Sequence, residues 1–357
     1  MDPRNALILI AILSLTGFIV AFLAAPLVLK ILTNYKCWKK SVRSVAPDGS
    51  ATPIFASLHK NNETKVPRMA GVLLGGSMLV VALGAWLLNY CFPGTVFAQF
   101  DFLNRSQTWI PFFTLIAASL LGLMDDLLVV GGFGNTQKGG GIQFRSRLLV
   151  VFLIGLVGAY WFHFKLGWDV LHVPLAGDIF IGWWYIPLFI TVIMGVFSSS
   201  VVDGLDGLAG GIFAILFLTF AAIAFARGQF FLAAFCAVLV GTLLAFLWFN
   251  IPPAKFYMGE VGVLGLTTTL AVVAFFTNSV LLLPIAGIVL VIESGSVILQ
   301  LFSKKVFKRK IFLVAPYHHH LEAKGWPAHQ VTMRMWLITG VACMITLVLA
   351  LFDIIYK

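Results

Sequence analysis

The chain has 357 residues, 60% of them hydrophobic and only 11% charged, with 33 Phe, 10 Trp and a mean hydropathy of +0.99. That balance excludes a soluble core wrapped in polar surface and points to an all-α integral membrane protein, with residues 1–357 as a single polytopic domain. The net charge of +10 is not read as nucleic-acid binding. Its basic residues cluster between apolar runs, where anionic head groups of a lipid bilayer or a phosphorylated substrate attract them.

A helix crossing hydrocarbon needs ~20 apolar residues. Ten runs meet or approach that length: 6–32, 69–91, 109–128, 147–163, 185–202, 208–226, 229–249, 261–278, 280–302 and 332–356. The run 147–163 is short, and the boundary near 279 is weakly marked. Ala24-Ala25 resembles a signal cleavage region. The first run is too long for a signal core and a basic segment follows it, so it reads as a retained span.

The connections supply the orientation. Those after odd-numbered spans carry seventeen Lys and Arg, among them Lys65, Arg68, Arg145, Arg147 and the group from Lys304 to Lys310; the even ones and the termini carry five. The positive-inside rule then places the odd connections in the cytoplasm and both termini outside. Segment 131–141, rich in Gly, suits either a lid or a linker. Segment 164–184 offers a small hairpin, Val173-Pro174-Leu175 against Asp178-Ile179-Phe180 around Gly177. Cys37, Cys91, Cys236 and Cys343 have no C-x-x-C spacing, so neither a disulfide framework nor a zinc site is expected.

The acidic residues carry the chemistry. Asp125-Asp126, Asp203 with Asp206, and Glu260 end or begin apolar runs, and the span parity puts all five on the cytoplasmic side. Ionisable groups at membrane depth are costly and point to a functional site. Adjacent carboxylates on a helix point in different directions, so Asp125 and Asp126 have separate tasks. Asp203 and Asp206 share a face if their stretch is helical, and Gly204 and Gly207 let backbone approach a ligand. A hard cation such as Mg²⁺ takes carboxylates together with phosphate oxygens. Arg145 and Arg147 suit either a phosphate clamp or interfacial anchoring. His318-His319-His320 cannot all face one metal from a helix and better suit hydrogen bonding to phosphate or polar groups. Glu293, inside the ninth span, calls for an interhelical hydrogen bond.

Together, Asp125-Asp126, Val-Asp-Gly-Leu-Asp-Gly-Leu at 202–208, Phe249-Asn250 with Phe-Tyr-Met-Gly-Glu-Val-Gly-Val at 256–263, and Ala-Pro-Tyr-His-His-His-Leu-Glu at 315–322 resemble the polyprenyl-phosphate N-acetylhexosamine-1-phosphate transferases. The histidine loop followed by Arg334-Met-Trp resembles the phospho-N-acetylmuramoyl-pentapeptide transferase branch, and the likeness runs from the first span to the last. It implies a ten-span, often homodimeric enzyme of the bacterial inner membrane with a cytoplasmic, Mg²⁺-dependent site. The implied reaction moves phospho-MurNAc-pentapeptide from UDP-MurNAc-pentapeptide to undecaprenyl phosphate, giving lipid I and UMP for peptidoglycan synthesis. Carried over by motif, Asp125, Asp126, Asp203 and Glu260 are the metal-binding and catalytic set, joined by His318. Lys65, Arg147, Asp206, Asn250, Tyr257, Gln300, His318 and His319 are the substrate-binding set, with Asn250, Tyr257 and Gln300 near the uridine.

Departures from that pattern are local. Met-Gly-Glu stands where the family has Met-Gly-Asp, so Glu260 carries an extra methylene; Arg147 replaces the usual Lys. Arg68 stands where the family has a hydroxyl. Phe197-Ser-Ser-Ser-Val-Val replaces an Asn-rich approach, and Val263 a usual Ser. Two other readings compete: a sister transferase using another UDP-sugar such as UDP-GlcNAc, and a non-catalytic polyprenyl-phosphate-binding paralogue. Arg68 favours the first and Glu260 the second; the histidine loop and the retained acids oppose them.

Overall fold

The computed structural model describes residues 1–40, 64–103, 106–133, 141, 142 and 144–356. Most of the glycine-rich segment expected to be a lid or linker, and Arg43, Lys60, Arg105, Lys138 and Lys357, lie outside the described residues. Among the described residues, nine helices are long and apolar enough to cross a membrane, or ten if one bent pair is a single span.

The chain runs through α1 (Pro3–Asn34), α2 (Val72–Cys91), α3 (Ser106–Gly131) and α4 (Phe144–Tyr160). A hairpin of β1 (Val170–Val173) and β2 (Gly177–Phe180) leads to α5 (Tyr185–Ser198), α6 (Leu208–Ala226), α7 (Phe230–Asn250) and α8 (Gly259–Phe276). Then come α9 (Leu283–Ala286), α10 (Ile288–Val306), the short α11 (Tyr317–Ala323) and α12 (Ala328–Ile355). The expected runs fall on these helices. The weak boundary near 279 is resolved as a break: Val280–Ala286 meets Ile288–Val306 at 79°, with Pro284 inside the short first piece and Gly287 at the joint. The hairpin pairs Val170 with Phe180 and Val173 with Gly177, so its first strand starts three residues before the expected one. Pro174 has no N–H to give a ladder and falls in the turn.

Burial ranks the helices. In the apolar windows of α6, α7 and α8, 78%, 83% and 94% of residues are buried, against 28% for α1 and 22% for the α4 span. The first three form the centre, and the others turn Leu, Ile and Phe outward, as lipid-facing helices must. Lipid tails are as apolar as Leu, so helix association relies on close packing and small residues. At the α3–α8 seam, a methyl on Gly122 would strike the Glu260 carbonyl, and one on Gly265 would strike the Ser119 hydroxyl. That contact brings the acidic end of α3 against the start of α8. Thr267, Thr268 and Thr277 bond back to carbonyls of their own helix and so bury no unpaired hydroxyl.

Candidate active site

Five connections meet at one end of the bundle, those after the first, third, fifth, seventh and ninth spans. Asp125 and Asp126 lie in the last two turns of α3 and are 1% and 0% exposed. As expected of neighbours on a helix, they face different partners. Asp125 Oδ1 accepts from Ile142 N at 2.6 Å, and its Oδ2 lies 2.6 Å from Arg147 Nη2. Asp126 Oδ2 accepts from Val261 N at 3.1 Å, while its Oδ1 lies 3.6 Å from Arg68 Nε.

Arg147, in the first turn of α4, is the hinge of the cluster. Its second nitrogen, Nη1, donates to Glu260 Oε1 at 2.9 Å, so one planar fork joins the end of α3 to the start of α8. Arg145, its neighbour, is exposed. Glu260 stands in the first turn of α8, where the helix dipole favours a negative charge. The helix begins there because Gly259 has φ +73. A side chain at 259 would also strike the Asp126 carboxylate.

Asp203 and Asp206 do not share a helical face. The stretch from 203 to 207 is a turn, because Gly207 at φ +76 breaks the helix before α6. Asp203 Oδ2 accepts from Gly259 N at 3.2 Å, and Asp206 Oδ2 from Ala254 N at 3.0 Å. Burial pushes the Asp203 carboxyl up to about 6; Glu260 adds to the rise, while Arg68 and His318 oppose it. The serines before it spend their hydroxyls on their own segment, Ser198 on Gly195 O and Ser199 on Val196 O.

The remaining polar residues divide into two kinds. Asn250 accepts from Gly207 N and donates to Phe256 O, and Gln300 accepts from Ile311 N and Phe312 N and donates to Phe312 O. Both amides brace the loops around the cluster. Tyr257 is joined through its backbone to Pro67 and Ala70, which sets Arg68 beside Asp126. Lys65 is exposed at the edge. His319 Nδ1 lies 2.7 Å from Glu322 Oε2, and His320 Nδ1 accepts from Leu313 N. His318 alone turns fully inward: it is 0% exposed and its Nδ1 meets Glu293 Oε2 at 2.8 Å. That is the interhelical bond expected of Glu293. Its partner was not foreseen, nor was Arg68's place among the acids; the signals for Arg68 were a charge at the start of an apolar run and its departure from the family's hydroxyl.

Among the described residues, no three His, Cys, Asp or Glu side chains are grouped to hold a metal as they stand. The donor chemistry is nonetheless that of a hard-cation site. Asp126 Oδ1 and Glu260 Oε2 are buried atoms with no hydrogen-bond partner among the described residues, and both are carboxylate oxygens, the ligands Mg²⁺ takes. The cluster as a whole sets two guanidinium groups among four carboxylates, an arrangement that can hold phosphate groups and shift charge as they react.

Residues 108–278 match the model of glycosyl transferase family 4. The chain is similar to the phospho-N-acetylmuramoyl-pentapeptide-transferase of Listeria welshimeri, 32% identical over 94% of this chain and 96% of that one. That of Chloroflexus aggregans is 30% identical over 98% and 90%, and that of Bartonella quintana 30% over 93% and 90%.

Proposed function

Since the chain belongs to the phospho-N-acetylmuramoyl-pentapeptide-transferase family, we propose that it transfers phospho-MurNAc-pentapeptide from UDP-MurNAc-pentapeptide to undecaprenyl phosphate, releasing UMP and forming lipid I. The reaction takes place at the cytoplasmic face of the bacterial inner membrane. An oxygen of the lipid phosphate attacks the sugar-bearing phosphorus of the donor, the bond to the UMP oxygen breaks, and UMP leaves with that electron pair.

The observation that carries this reading is the Arg147 fork across Asp125 and Glu260, with Arg68 beside Asp126. Phosphoryl transfer asks the protein for positioning and charge stabilisation more than for covalent chemistry. Guanidinium groups held by carboxylates keep their remaining N–H donors aimed, so that phosphate oxygens meet preorganised charge. Asp125 keeps the lipid phosphate ionised by taking up any proton it carries. Mg²⁺, held by Asp126, Asp203 and Glu260, would neutralise charge on the diphosphate. Asn250, Tyr257 and Gln300 lie near the uridine, Asp206 helps to organise the nucleotide site, and His319 stands near the diphosphate or sugar.

Purified protein with UDP-MurNAc-pentapeptide, undecaprenyl phosphate and Mg²⁺ should release UMP. The release should stop when either the lipid or the cation is left out, and UDP-GlcNAc should not replace the donor. Turnover with UDP-GlcNAc alone would move the assignment to a sister transferase, and silence with every donor would leave a binding role.

A further inference from the structure

Glu293 lies within α10 and is 0% exposed; nothing in the transfer chemistry above uses it. An ionised carboxylate at such depth is costly unless it is paired. Both of its oxygens are directed at a single residue. Oε2 lies 2.8 Å from His318 Nδ1, and Oε1 accepts from His318 N at 3.2 Å. That N–H is one of the first-turn donors of α11, which have no partner within the helix. The carboxylate therefore fixes His318 twice, at the main chain and at the ring.

An ionised carboxylate only accepts, so Nδ1 carries a proton in either charge state of the ring, and Nε2 is the atom left over. Nε2 is buried and has no hydrogen-bond partner among the described residues. It presses on the bare backbone of Gly204, where a methyl group would strike it, one residue from Asp203. An imidazole tied at one nitrogen by a carboxylate has a set tautomer, and its other nitrogen, here against Gly204, has a set direction.

We propose that Glu293 is a positioning residue of the transfer site: it holds His318 with Nδ1 protonated and so presents Nε2, across Gly204, to the phosphate-bearing substrate. The role depends on the transferase reading, and the test separates the two. Full-length protein labelled with ¹⁵N-histidine is compared with Glu293→Gln, which keeps the shape but can turn an amide N–H toward Nδ1. The expected result is a kcat for UMP release lowered by ~10²-fold, with KM for the UDP donor unchanged in protein that remains folded. The His318 ¹⁵N signals, assigned with His318→Gln, should also lose the Nδ1–H form. Gly204→Ala, whose methyl takes the space in front of Nε2, should stop turnover while the Nδ1–H signal persists. Wild-type kcat in Glu293→Gln, an Nδ1 without a proton in the native protein, or full activity in Gly204→Ala would each overturn the proposal. If the native protein transfers nothing, the transferase reading fails by itself, and the ¹⁵N spectrum still decides whether Glu293 sets the tautomer.

Discussion

The two ends of the bundle treat their buried carboxylates differently. At the end away from the site, Asp353 near the close of α12 accepts from Leu175 N at 3.0 Å through Oδ1. Its Oδ2 lies 2.7 Å from His172 Nε2 and 3.2 Å from Arg227 Nη2. His172 Nδ1 in turn meets Asp178 Oδ1 at 2.5 Å. Both oxygens of that carboxylate and both ring nitrogens are engaged, and the result is a latch that ties the hairpin and the α6–α7 turn to the last helix. At the other end, Asp126 Oδ1, Glu260 Oε2 and His318 Nε2 lack hydrogen-bond partners among the described residues. A saturated carboxylate holds structure together; an unsaturated one costs stability and is retained where a ligand completes it.

Four perturbations test that contrast. The largest effect should come from Arg147→Ala, which leaves Asp125 and Glu260 facing each other without their shared cation. Activity is expected to fall by ~10²–10³-fold, as for loss of a charge-stabilising donor, and UMP release measures it. Glu260→Asp comes next. Shortening the side chain draws the carboxylate back from Arg147, and a misplacement of about an ångström can cost ~10²-fold. Because the two residues act through one contact, Arg147→Lys combined with Glu260→Asp should cost less than the product of the single losses. Higher activity in Glu260→Asp alone would show that the Arg147 contact does not serve catalysis.

Asp203 gives a pH-dependent effect. Its carboxyl is held up to about 6 in the fold, so activity should decline as pH falls through that value and the group takes a proton. The stability runs the other way. The folded protein binds this proton more tightly than the unfolded chain, so the group's contribution is greatest below the unfolded value near 4 and is lost as pH rises through about 6. Asp203→Asn should therefore lower turnover, by less than the Arg147 and Glu260 variants do, yet raise the thermal midpoint at pH 7.5, with the gain vanishing toward pH 4. The smallest effect on activity belongs to the latch. Asp353→Asn should lower stability by roughly 1–3 kcal/mol, read as an earlier thermal midpoint, and leave kcat as it was. A change in kcat would mean that the two ends communicate.

The spans were legible because lipid imposes a length and a polarity on every crossing segment, and runs such as 208–226 and 229–249 answer to nothing else. Asp125, Asp126, Asp203 and Glu260 were legible because charge is rare beside such runs. The turn at 203–207 could not be read from spacing alone: two aspartates three apart fit a helix, and only the left-handed Gly207 removes it. Asn250 and Gln300 look like ligand contacts in a sequence, because nothing local says that their amides are spent on Phe256 and Phe312. Arg68 and Glu293 join the cluster through partners 58 and 25 positions away, which no local pattern reports.

The site draws on five connections, and its parts enter the chain from Arg68 to His318. Synthesis therefore sets an order of assembly: the acids of α3 are made before Glu293, and Glu293 before the residue that receives it. Until α11 follows α10, the nascent chain carries an acid at membrane depth with its partner still to come. The cluster is therefore assembled only after α11 has followed α10.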